Sequence, residues 1–379
     1  MTDENSDRLQ SNTIDWLRFP LAIAVVFIHI NPVVDMQGVD YFHFSGMDIY
    51  TVAGALISRV LTYVAVPCFF MFSGFLFFYK VRGWNRNIYR NKIKRRLKTL
   101  VLPFLLWNVI AVCVGAAIQL IKPEGDILGY IHELYDKGLW RIFWNCTEWG
   151  STDTNIFGWA NPFYGPYLLP LWFLRDLIIA VFLSPLVYYF VKYARMYGVV
   201  LLGILYYAQA GIAVAGYNIN QLITALFFFS IGGYFGIYGK NMVISLRKGQ
   251  LYWLLAAVVF LILSTFYDGS DMKKYFLPVY VISGVITTVN ITSFLMERGK
   301  LKVYNTLSGA SFFVYATHTI LVLSVSRKLI NFILPPDNMI ILLIKFLVTP
   351  FLCAFLCVGI YLLMKRFVPK LLSVLTGNR

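Results

Sequence analysis

Charge is scarce in this chain. Aspartate, glutamate, lysine and arginine together make up 13% of its 379 residues, against about a quarter in soluble globular proteins. Hydrophobic residues make up 59%, and apolar runs of about twenty residues, each long enough to cross a bilayer as a helix, recur along nearly the whole length. The deficit of charge and the recurrence of these runs exclude an ordinary soluble domain. Cysteine is sparse too. Cys68, Cys113, Cys353 and Cys357 fall in apolar runs and Cys146 stands alone in a loop. No histidine or further cysteine cluster accompanies them, so neither a disulfide framework nor a metal site is expected. A cleavable signal peptide is also lacking. Asp15 and Arg18 precede the first apolar run, in place of a basic leader and a small-residue cleavage site, so that run reads as a retained first helix. With no internal repeat and no mark of a second domain, residues 1–379 read as a single membrane-embedded unit.

What is present fits an all-α, polytopic membrane bundle of about ten transmembrane helices. The expected spans are Ile14–Val34, Ile57–Tyr79, Thr99–Ile121, Leu168–Val191, Val199–Ala215, Gln221–Ile237, Tyr252–Phe266, Phe276–Met296, Ala310–Phe332 and Met339–Met364. A short tail (1–13) precedes them, a basic loop spans 80–98, and the longest loop spans 122–167. The basic loop holds nine lysines and arginines and no acid, so it is assigned to the cytoplasm. Counting alternately from it puts Lys192/Arg195, Lys240/Arg247/Lys248, Arg298/Lys300/Lys302 and Lys365/Arg366/Lys370 inside. The acids Asp35, Asp40, Asp48, Glu124, Asp126, Glu133, Asp136, Glu148 and Asp153 then fall outside. Both termini are cytoplasmic in this topology. The net charge of +15 is explained by the same bias. The expected partner is the lipid bilayer, with no nucleic acid.

Ionisable side chains within apolar spans cost about 2.5–3.5 kcal/mol each on insertion scales and therefore need a partner or a task. In the first span, Arg18 and His29 lie eleven residues apart, which is three helical turns plus about 20°, so they share one face about 16 Å apart along the axis. Asp15, three residues before Arg18, can pair with it. This layout suits a ligand with an anionic end near the inner surface and a reactive end deeper in. The permanently charged arginine fork matches phosphate, and the imidazole can accept a hydroxyl proton and hand it on. Taken singly, Arg18 reads as a snorkelling residue and His29 as a helix–helix hydrogen bond.

Four segments in order resemble the acyltransferase-3 family of bacterial membrane proteins. Asp15-Trp-Leu-Arg18 with His29 resembles the arginine–ten residues–histidine signature, although Phe19 stands where the family usually has glycine. VPCFFMFSGFLFF (Val66–Phe78) resembles its aromatic segment ending in Ser-Gly-Phe. KIKRRLKTLVLPFLLW (Lys92–Trp107) resembles its basic loop and proline-containing helix, and LWFLRDL (Leu171–Leu177) its Leu-Trp-Phe-Leu element. LSGASFFVYATH (Leu307–His318) is a looser match, and no role is assigned to His318 from it.

The resemblance implies transfer of an acyl group, usually acetyl, from cytoplasmic acyl-CoA to a hydroxyl of a cell-surface or lipid-linked glycan, in a bacterial inner membrane. Acetyl-CoA would be a donor substrate, with no permanently bound cofactor. On that reading Arg18, oriented by Asp15, and Arg95 and Arg96 of the basic loop hold the CoA head, and His29 is the general base. Plain positive-inside topology is the alternative for Arg95 and Arg96. Arg175 is a candidate for oxyanion stabilisation, or for gripping an anionic sugar. Trp172 and Asp176 are candidates for the acceptor. The bland alternatives are a structural ion pair for Arg175 and Asp176 and an interfacial belt residue for Trp172. Ser73-Gly74 equally suits close helix packing, and His43 and His132 fall in outer loops with no expected chemistry. A transporter or flippase for a glycan lipid or organic anion also needs buried arginine, histidine and aspartate, but the chain lacks paired broken-helix halves.

Overall fold

The computed structural model describes residues 3–30, 36, 39, 46–81, 83–149, 154–209, 213–214, 217–335 and 338–378. Asp35, Asp40, His43 and Asp153 lie outside them. The helices are α1 (Asp3–Ile28), α2 (Gly46–Ser58), α3 (Ala65–Phe78), α4 (Arg86–Arg96), α5 (Leu102–Ile121), α6 (Ile127–Lys137), α7 (Trp172–Phe182) and α8 (Ser184–Tyr207). They continue as α9 (Ile219–Ile237), α10 (Met242–Leu246), α11 (Gln250–Phe266), α12 (Lys273–Glu297), α13 (Asn305–Thr317), α14 (Leu323–Ile333), α15 (Met339–Phe367) and α16 (Pro369–Thr376). Two small antiparallel pairs, one of them Thr147–Trp149 with Phe163–Gly165, are the only described sheet. The chain is an all-α, multi-pass membrane protein.

Among the described residues, six helices or continuous helix runs are long and apolar enough to cross a bilayer: Glu4–Ile28, Gly46–Phe78, Arg86–Ile121, Lys273–Glu297, Asn305–Ile333 and Met339–Phe367. A seventh crossing would be the pair Leu169–Phe182 and Ser184–Tyr207, bent by 67°. The apolar helices Gln221–Ile237 and Gln250–Phe266 are shorter. The expected count of ten is thus not reached by length. The chain expected as two helices, Leu168–Val191 and Val199–Ala215, runs as α7 and α8, with a break inside α8 that falls in the expected connection between them. That break is a kink at Arg195, whose φ of 52° and ψ of −137° are non-helical and separate two helical stretches.

The expected tail and loops also contain ordered helix. α1 begins at Asp3, and its first turns are fixed: Asn241 donates to the Ser6 carbonyl, Met242 N–H donates to Gln10, and Tyr79 donates to Asp7. The basic segment forms α4, capped by Asn85, whose side chain accepts from Ile88 N–H; its last turn carries Lys94, Arg95 and Arg96, where the helix dipole favours cations. A π turn, Leu97–Val101, leads into α5. In the long outer segment Asp126 caps α6. At the other end of the chain α16 folds back, and Trp107 of α5 donates to the Leu375 carbonyl. Both ends of the chain therefore lie on the face that carries the basic segment.

The interior is aromatic, with Phe70, Phe75, Phe77, Phe78, Phe228, Phe229 and Phe313 fully buried. α3 and α9 touch backbone to backbone. A Cβ on Gly74 would sit 2.0 Å from the Phe229 carbonyl oxygen, and one on Gly232 would sit 1.8 Å from that of Met71. Ser73-Gly74 therefore serves close packing on its glycine side.

Candidate active site

Two cavities lie along α1, one towards each end. The first, of about 320 Å³, is lined by Arg18, Ser73, Arg96, Phe173, Ser308 and Tyr315 among others. Arg18 reaches it from α1, where Asp15 one turn earlier holds its guanidinium at 3.0 Å. Arg96 reaches it from the end of α4, just before the π turn redirects the chain into α5. The structure thus brings Arg18, Asp15 and Arg96 together. Arg95, the neighbour of Arg96, is exposed and lines neither cavity. Arg18 and Arg96 both line this cavity, and planar guanidinium forks of this kind suit an anionic group.

The second cavity, of about 370 Å³, is lined by His29, by Ala111, Val114, Gly115 and Ile118 of α5, by Tyr167–Pro170, and by Thr319 and Ile320. His29 directly follows α1, half-buried, with its backbone carbonyl tied by Arg327 at 2.8 Å. Tyr167, in the cavity wall, is hydrogen-bonded to Tyr130 of α6 at 2.8 Å, so the outer helix is fastened over this side. Burial, and then the Tyr167 contact, push the Tyr130 phenol up, so it stays neutral there. The two cavities share no lining residue. A hydrogen bond joins their walls: the Tyr315 hydroxyl, lining the first, donates to the Pro170 carbonyl, lining the second.

Behind His29 lies a residue to which the sequence assigned nothing. The His318 ring is 5.1 Å from that of His29, centroid to centroid, and fully buried. It stands where α13 gives way to a π turn, His318–Val322, a distortion frequent at functional sites. Its Nδ1 contacts the carbonyls of Tyr315 at 2.9 Å and Val314 at 3.2 Å. Carbonyls only accept, so Nδ1 carries a proton, and in the neutral ring Nε2 is a lone-pair acceptor. Among the described residues, that Nε2 has no hydrogen-bond partner, and neither does the buried Thr319 hydroxyl next to it in sequence. The signal that could have found His318 was the one used for His29, a lone ionisable side chain in an apolar run.

Arg175, Asp176 and Trp172 gather elsewhere and line neither cavity. Arg175 pairs with Asp176 at 2.8 Å, and both are almost wholly buried. It also donates to the carbonyls of Trp144 and Tyr164 and to Gln221. Four of its five N–H groups are thereby spent on the protein, stitching the outer segment onto α7 and α9. Trp172 packs edge-on against Phe163, with ring centroids 5.2 Å apart, and lies near Phe70. His132 is exposed on α6.

An acyltransferase domain model, that of the acyltransferase-3 group, matches residues 11–365. The chain belongs to the acyltransferase-3 family. It is similar to the succinoglycan biosynthesis protein ExoH of Rhizobium meliloti (strain 1021), with 28% identity over 377 residues, which cover 97% of this chain and 92% of that protein. No solved structure matches it. The match spans both arginines of the first cavity, His29, His318 and Thr319, so the family membership and the two-cavity geometry concern the same part of the chain.

Proposed function

We propose that this protein moves an acyl group from cytoplasmic acyl-CoA to a hydroxyl of a cell-surface or lipid-linked glycan, in the inner membrane of a bacterium. The observation that carries the reading is the pair of cavities with walls joined at Tyr315 and Pro170, with arginines in one and His29 in the other. Arg18 and Arg96 bind the phosphates of the CoA head on the basic face, and Asp15 fixes the Arg18 fork. The pantetheine arm is long and flexible enough to follow α1 for the roughly 16 Å that separates Arg18 from His29. The glycan acceptor is supported by the similarity to a protein named for succinoglycan biosynthesis.

In the transfer itself, His29 takes the proton of the acceptor hydroxyl as its oxygen attacks the thioester carbonyl. The tetrahedral oxyanion collapses, the C–S bond breaks, and CoA leaves as the thiol once the proton is returned. The Thr319 hydroxyl, without a partner among the described residues and in the same cavity as His29, is available to donate to that oxyanion. His318, held by two carbonyls, keeps a lone pair within one ring's reach of His29 and can steady its orientation.

The first test is acetyl-CoA binding to the purified protein in detergent. Saturable binding that weakens about tenfold in Arg18→Ala is expected, the loss of one charge-assisted phosphate contact. In His29→Ala, donor binding should persist while transfer falls by about 10²–10⁴, the usual contribution of a general base. Absence of acyl-CoA binding by folded protein would sink the reading in favour of a transporter, which would move its substrate across sealed vesicles unaltered.

A further inference from the structure

Arg327 is a basic residue in an unexpected place. It sits on α14, six residues before the helix ends at Ile333, which is about 9 Å short of the outer end. A cation there opposes the inward bias of positive charge and carries an insertion cost. Its exposed neighbours on α14 include Val325, Leu329 and Phe332 but also the polar Ser324 and Asn331 and a second cation, Lys328. The side chain is exposed, and one N–H donates to the backbone carbonyl of His29. Among the described residues no carboxylate pairs with it. The result is a guanidinium anchored on the backbone of the base itself, with one N–H donated to that carbonyl. The tether to the His29 carbonyl fixes where the fork can point, which is what distinguishes it from a lysine snorkelling to the surface.

We propose that Arg327 is an anion-recognition subsite of the acyl-transfer centre, binding a carboxylate or phosphate carried by the substrate next to the reacting carbonyl. This rests on the reading of His29 as the base. Two sources supply that chemistry: the free carboxylate of a dicarboxylic acyl group on the donor, or an acidic group on the acceptor sugar. Either way, Arg327 would select charged over neutral substrates, because a planar fork meets a carboxylate through two parallel hydrogen bonds that a neutral twin cannot make.

Binding of matched pairs to the full-length protein in detergent tests this. Succinyl-CoA is compared with acetyl-CoA, and methyl glucuronide with methyl glucoside, for the native chain, Arg327→Gln and Arg327→Lys. The expected result is at least a tenfold preference for the charged member of one pair, erased in Arg327→Gln and partly kept in Arg327→Lys. A preference in the CoA pair identifies the donor as the source, and one in the sugar pair identifies the acceptor. No preference in either pair, or a preference that Arg327→Gln leaves intact, overturns the subsite. Equal weakening of both members of a pair also overturns it, because that is what a mere tether for His29 would give. Free CoA binding, and its loss in Arg18→Ala, reports separately on the donor reading. If CoA does not bind at all, the sugar pair alone decides the fate of the subsite.

Discussion

Replacing Arg175 by methionine separates a structural from a chemical role for the most heavily engaged cation in the fold. Its guanidinium is 3% exposed and its partner Asp176 is fully buried. Methionine keeps much of the volume but removes four hydrogen bonds, to Asp176, the Trp144 and Tyr164 carbonyls and Gln221. It also leaves the Asp176 carboxylate in the interior without its guanidinium. Breaking one side of a buried ion pair costs about 3–5 kcal/mol. A sum over four bonds worth about 1 kcal/mol net each comes to about the same figure. Thermal unfolding in detergent, followed by size-exclusion retention, should show a large loss for Arg175→Met. Limited proteolysis should open first within residues 122–167, the segment that Arg175 holds through two carbonyls. The double variant Arg175→Met with Asp176→Leu should recover much of the loss, since an apolar pair needs no charge compensation. A variant of native stability and native protease resistance that has nonetheless lost transfer would refute this reasoning and return Arg175 to the chemistry.

Other outcomes follow from single contacts. Gly74→Val should block the approach of α3 to α9, because its Cβ alone would meet the Phe229 carbonyl at 2.0 Å; a folded yield comparable to native would show that the helices separate cheaply. Arg96→Ala should weaken acyl-CoA binding several-fold more than Arg95→Ala, as only Arg96 lines the arginine cavity. Equal effects in a titration of the two variants would reduce both residues to general positive charge.

Much of the fold was legible because hydropathy and charge bias act on each span independently of its neighbours. The pairing of Asp15 with Arg18 and the close packing at Gly74 follow from residue spacing and size, whereas the first helix, expected to run to Val34, ends at Ile28, just before His29. Boundaries were less legible. The segments at 3–13 and 86–96 are polar, yet they are helical: Asn85 caps the second from next door, while Asn241, Met242 and Tyr79, which hold the first, lie far away in sequence. The same limit hid the surroundings of Arg175. Its acceptors are carbonyls of an irregular segment, which no side-chain pattern announces. His318 and Arg327 were visible as ionisable residues in an apolar run, but only the fold brings them beside His29.

On the proposed reading, the contact between Tyr315 and Pro170 bears on the energy supply of a cell as well as on transfer. A membrane that stores a proton gradient cannot tolerate a water-filled duct through one of its proteins. On that reading, two recesses whose walls are joined by the Tyr315 hydroxyl and the Pro170 carbonyl would let an acyl group change carriers while the solvent on either side stays apart. Substitutions that widen this junction are therefore expected to cost the host gradient rather than merely slow a reaction, and leakage of a pH-sensitive dye from vesicles bearing Tyr315→Ala would register it.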